Sequence, residues 1–121
     1  MCIRDRARIE LDRGEVEAAR ATLISLAEKN TGNVLGQLAA LDLVHLRVAS
    51  GEGVQVATEL LAVVNGQDQG LARDVALYEL GMLLVDQERF DEAREYLQTL
   101  VDEFPESPYR FPAQQRLNEL G

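Results

Sequence analysis

Apolar residues recur along this chain at helical spacing, and no stretch alternates as a strand would. The clearest stripes are Val16, Ala19, Leu23, Leu26 and Ala27, and then Phe90, Ala93, Leu97, Leu100, Val101 and Phe104. Each would bury one helix face against a neighbour. Periodicity and turn residues together predict helices over 7–13, 15–29, 34–50, 54–64, 72–87, 90–104 and 112–120, with ends good to about 2 to 4 residues. The connections around Asn30-Thr31-Gly32-Asn33 and Asn65-Gly66-Gln67-Asp68-Gln69-Gly70 are rich in turn residues.

The pattern also repeats. Gly14-Glu15-Val16-Glu17-Ala18-Ala19-Arg20 and Glu88-Arg89-Phe90-Asp91-Glu92-Ala93-Arg94 both read as a turn entering a helix with a small residue on its inner face. A third copy fits Gly51-Glu52-Gly53-Val54-Gln55-Val56-Ala57, with its alanine placed at 57, so that the steps between alanines are 38 and 36 residues. Leu77, Leu80, Gly81, Leu84, Ala93, Leu97 and Pro105 define the last copy. Leu77, Leu80 and Leu84 form one stripe, Gly81 and Ala93 are small where two antiparallel helices come close, and Pro105 ends the second helix for want of an amide donor.

Those seven residues lie on the spacing W-x2-L-G-x2-Y, A-x3-F, P, and the chain resembles a tetratricopeptide repeat protein. Leu77 and Leu84 replace the aromatics of that pattern and Leu100 a small residue. The resemblance implies an all-α solenoid of helical hairpins, about three repeats closed by a C-terminal capping helix at 112–120. Gln114, Gln115, Asn118 and Glu119 suit that cap. It also implies a concave groove lined by the first helix of each pair, which falls on Asp42 and Leu46 in the middle repeat and on Tyr78, Met82 and Val85 in the last. Such a groove would take an extended peptide or a partner helix with apolar anchors and a basic residue. Phe104-Pro105-Glu106-Ser107-Pro108-Tyr109-Arg110 resembles the junctions of repeat proteins of the bacterial envelope. That similarity extends to the ancillary subunit of the secretion translocon and to the repeat lipoproteins of outer-membrane assembly and cell division. It implies a periplasmic scaffold or adaptor, anchored in a membrane by a segment upstream. A regulatory or oligomerising tail of a larger enzyme or signalling protein is the other reading the sequence leaves open. Within the junction, Ser107 would cap a helix opening at Pro108, or the helix would open at Pro112 with Phe111 as its cap.

Met1-Cys2-Ile3-Arg4-Asp5-Arg6 resembles a translated sequencing adapter, the transposase mosaic end, and is set aside; residues 7–121 are then read as one repeat domain, a fragment of a longer protein. Without that segment the formal charge moves from −9 to −10 and the single cysteine, Cys2, disappears. A chain so acidic lacks the clustered Lys and Arg of a nucleic-acid footprint. No segment reaches the roughly 20 apolar residues that span a bilayer.

Catalytic and metal chemistry find little support. His45 is the single histidine. The alanine alignment puts it at the place of Gly81, where it reads as a partly buried packing residue or as a pH-sensitive or ligand-contacting one with Asp42, one turn away, as its partner. With no second His and no authentic Cys it makes no zinc site of the usual kind, and a hydrolase triad would rest on it alone. The pairs Asp91/Glu92 and Asp102/Glu103 point about 100° apart on a helix and do not converge on a substrate. Gly51-Glu52-Gly53 has neither a preceding strand nor a Lys-Ser/Thr ending, so it is a turn and not a phosphate loop. The expectation is a non-enzymatic, cofactor-free module that binds protein or peptide.

Overall fold

A computed structural model describes residues 16–30, 32–67 and 71–121. Among these residues there are six helices and no strand. They are α1 (Val16–Lys29), α2 (Val34–Ala49), α3 (Gly53–Val64), α4 (Arg73–Asp86), α5 (Phe90–Glu103) and α6 (Arg110–Leu120). The fold is all-α, built of tetratricopeptide-like helical hairpins. The adapter-like residues 1–6 and the helix expected over 7–13 lie outside the described residues. The described residues divide into two compact units, one up to residue 56 and one from 57 to 121, and the boundary falls within α3.

In the first unit α1 packs on α2. Ala19, Leu23 and Leu26 from α1 meet Ala39 and Leu46 from α2, with Val16, Ala27 and Leu43 closing the edges. Removing a leucine-sized side chain from water contributes about 1.5 to 3 kcal/mol, so a handful of such residues outweighs the polar contacts of the pair. Asn33 caps α2: its side-chain oxygen accepts from the Gly36 amide at 3.0 Å. After α2 the chain turns through Gly51 at φ +91°, which a side chain would strain. Three backbone bonds hold that turn, from Ser50 N to Leu46 O, Gly51 N to Val48 O and Glu52 N to Arg47 O. Glu52 then accepts from two arginines, Arg20 on α1 through both Nη atoms and Arg47 on α2 through Nε at 3.2 Å. The Arg20 hydrogen bonds, opposed by partial burial and helped by Arg47, hold the Glu52 carboxyl below its ordinary value.

In the second unit α5 packs on both α4 and α6. The buried set is Ala76, Leu77, Leu80, Gly81, Leu83 and Leu84 on α4, Ala93, Leu97 and Leu100 on α5, and Ala113 and Leu117 on α6. The α4–α5 turn repeats the bonds of the turn after α2: Gln87 N to Leu83 O, Glu88 N to Val85 O and Arg89 N to Leu84 O. Glu88 takes the left-handed place, φ +60°. Two arginines satisfy carbonyls at helix ends, Arg73 Nε bonding Val64 O at 3.0 Å and Arg94 Nη2 bonding Leu120 O at 3.1 Å.

The matched turns correct the repeat register. They equate Gly51 with Glu88, a step of 37 residues, and therefore Val56 rather than Ala57 with Ala93. On that step Ala19, Val56 and Ala93 correspond and all are buried, as are Leu23, Leu60 and Leu97, and Ala39, Ala76 and Ala113. His45 moves to the place of Met82, and Val44 takes the place of Gly81. His45 is exposed, which corrects its reading as a packing residue.

The start of α6 is also corrected. The helix opens at Arg110 with Tyr109 as its N-cap residue, so neither Pro108 nor Pro112 begins it. Pro112 sits third in the helix, where an amide would have no intrahelical acceptor, and the missing donor costs nothing there. Gln114 and Asn118 of α6 occupy the places of Leu77 and Gly81 in α4 on the 37-residue step; both are exposed, and Gln114 Nε2 donates to Asn118 Oδ1 at 3.2 Å. That polar face suits a helix turned to solvent.

Candidate functional site

Helix α4 has two working faces. Leu77, Leu80, Gly81 and Leu84 are buried in the hairpin, whereas Tyr78, Met82 and Val85 are half-buried and follow one another at i, i+4 and i+7, so they share a separate stripe. The close approach that permits this is at Gly81. The side chain of Leu97 lies where a Cβ at 81 would be, and α4 can press flat on α5 while keeping its other face open.

Beyond α5, the segment Phe104–Tyr109 brings a second tyrosine to the same place. The rings of Tyr78 and Tyr109 are 5.1 Å apart between centroids and tilted by 39°, a separation at which aromatic pairs attract. Ser107 fixes this segment: its hydroxyl donates to Asp74 Oδ2 at 2.6 Å and accepts from the Tyr109 amide at 3.1 Å. Burial first, then the charges of Glu79 and Asp74, push the Tyr109 hydroxyl above its ordinary value. On the opposite flank Arg73 pairs with Glu103 and lies 5.7 Å from the centre of the Phe104 ring, a cation–π contact.

The five groove residues expected from sequence divide between the units. Tyr78, Met82 and Val85 come together on α4. Asp42 and Leu46 stand on α2 in the other unit. Asp42 is half-buried, but Leu46 is only 3% exposed and packs in the core cluster with Leu23 and Leu26. It is a core residue and not a groove residue. The 37-residue step puts Leu41 and His45, each one residue before the expected position, and Val48 where α4 has Tyr78, Met82 and Val85. Asp74, Ser107 and Tyr109 were not expected at the site. Their signal in the sequence was the Ser107-Pro108-Tyr109 junction, whose serine bonds a carboxylate 33 positions earlier instead of capping a helix.

Among the described residues no three His, Cys, Asp or Glu side chains assemble as metal ligands do, and no helix is long and apolar enough to cross a membrane. No curated protein matches the chain. Residues 75–107, which run from the first turn of α4 to Ser107, match the tetratricopeptide repeat. That match lies within the second unit, and together with the hairpins described above it makes the fold tetratricopeptide-like, a repeat type that in general serves protein–protein interaction.

Proposed function

We propose that this chain is a scaffold or adaptor that holds a peptide or a partner helix on the face of α4 carrying Tyr78, Met82 and Val85, the concave face of the resemblance. The observation that supports the reading is the stripe Tyr78, Met82 and Val85, left half-exposed on a helix whose other face is fully occupied by α5. Tyrosine and methionine present large apolar contact area with few polar demands, and they suit an amphipathic partner read at helical spacing. We place the protein in the bacterial cell envelope, as a single repeat domain over residues 7–121 carried by a membrane anchor upstream. The support for this finer assignment is the resemblance of the Phe104–Arg110 junction to repeat proteins of that compartment.

The test is the double substitution Tyr78→Ala with Met82→Ala, assayed for capture of partners from a membrane extract alongside far-UV circular dichroism. The reading expects capture to fall while helicity is kept. Retained capture by a folded variant would put the binding surface elsewhere.

A further inference from the structure

The stripe on α4 ends in a group whose chemistry is more specific than an apolar groove. Tyr78 and Tyr109 meet across the α4 and α5–α6 segments, and two carboxylates of α4, Asp74 and Glu79, lie near enough for their charge to act on the Tyr109 hydroxyl. Ser107 occupies one oxygen of Asp74, and a carboxylate has capacity for further donors. Arg73, the cation on the first turn of α4, is engaged by Glu103, the Val64 carbonyl and the Phe104 ring. Arg110 is exposed at the start of α6. An aromatic face attracts a cation through its quadrupole, and the attraction rises where carboxylates are adjacent and water is partly excluded. The whole chain, at a formal −9, would steer a basic partner toward this rim and repel an acidic one.

We propose that Tyr78, Tyr109, Asp74 and Glu79 seat a lysine or arginine side chain of the protein partner, with Met82 and Val85 taking its apolar neighbours. This rests on the reading of α4 as the partner-binding face. The tyrosine pair supplies the surface on which the cation lies, Glu79 supplies the opposite charge, and Asp74, held by Ser107, fixes the segment that carries Tyr109. The contact selects for charge, since acetylating a lysine would remove its cation while keeping most of its length.

The test uses two fluorescein-labelled twelve-residue peptides, one alternating leucine with lysine and the other alternating leucine with Nε-acetyl-lysine, titrated by anisotropy against the full chain. The lysine peptide should bind the wild type more tightly, and the more so at low salt. Glu79→Gln and Tyr109→Leu should each weaken it by about two- to fivefold and leave the acetylated peptide unchanged, with helicity checked for both variants. Equal binding of the two peptides, both weakened by Met82→Ala, would overturn the cation seat and leave the groove standing. Indifference of both peptides to Met82→Ala, Glu79→Gln and Tyr109→Leu alike would overturn the seat and the groove together.

Discussion

A Cβ built on Gly81 would lie 2.6 Å from Leu97 Cδ2 and 2.7 Å from its Cγ, far inside contact distance. Leu97 cannot step aside, because it is fully buried in the hairpin. Glycine in mid-helix costs about 1 kcal/mol in propensity relative to alanine, so its presence here marks a packing demand that outweighs local preference. Gly81→Leu is expected to destabilise by about 1 to 3 kcal/mol through overpacking. Leu97→Ala alone should cost about 2 to 5 kcal/mol through the cavity it leaves. The two changes together should cost less than their sum, since the new side chain enters that cavity. Denaturant titration of the three variants measures the coupling, and strict additivity would separate Gly81 from Leu97.

Glu88 holds a left-handed conformation that the equivalent turn gives to Gly51. The same three backbone bonds close both turns, so the conformation is set by the hairpin and not by the residue. A side chain there carries roughly 1 to 2 kcal/mol of backbone strain, partly offset by the extra freedom glycine would have in the unfolded chain. Glu88→Gly should therefore stabilise by about 0.5 to 1 kcal/mol, and Gly51→Ala should destabilise by a similar amount. Opposite shifts in thermal midpoint check both; a fall for Glu88→Gly would mean that its side chain contributes more than the strain removes.

The hairpins and the inner faces of the helices were legible in the sequence because they depend on local spacing. Leu77, Leu80, Gly81, Leu84, Ala93 and Leu97 satisfy a helical period within one hairpin, and all six are buried. The middle repeat was displaced by one residue for a physical reason. Val56 and Ala57 are adjacent, apolar and both buried, so periodicity does not choose between them and residue type alone favours pairing alanine with alanine. The turn decides it, through backbone bonds that leave no trace in side-chain type. Contacts between distant positions were not legible at all: Arg20 with Glu52 and Asp74 with Ser107 lie 32 and 33 residues apart, and nothing local distinguishes these partners from other charged or polar residues on a solvated face. The place of Tyr109 beside Tyr78 is hidden for the same cause, since the pairing exists only once α5 has returned the chain to α4.

Glu52 makes the first unit sensitive to acid. Its carboxyl is held below the ordinary value by hydrogen bonds from Arg20 and then by Arg47, so protonation is harder in the folded state than in the unfolded one. The stabilisation is present above the ordinary glutamate value of 4.5 and is lost as pH falls through the lower folded-state value. Glu52→Gln should lower the thermal midpoint at neutral pH, and the gap to the wild type should narrow as pH drops below 4.5. Melts taken from pH 7 downward check this; a gap that stays constant with pH would assign the loss to packing and not to the charge.

Ser107 joins the two segments that carry the tyrosines, with one bond to the Asp74 carboxylate and one from the Tyr109 amide. A hydrogen bond to a charged acceptor contributes about 1.5 to 3 kcal/mol, but half-burial lets water replace part of what is lost. Ser107→Ala should therefore cost about 1 to 2 kcal/mol. Its effect should also be local. Arg94 still holds the end of α6 through the Leu120 carbonyl, and Ala113 and Leu117 still bury against α5. The Tyr109 segment, by contrast, loses its tie to α4. Amide exchange should accelerate at Glu106, Ser107 and Tyr109 while α6 keeps its protection, and the ring contact between Tyr78 and Tyr109 should weaken in nuclear Overhauser spectra. Uniform loss of protection through α6 would instead make Ser107 a requirement for docking the whole helix, and unchanged exchange at Glu106, Ser107 and Tyr109 would leave the tyrosine pair to hold the segment alone.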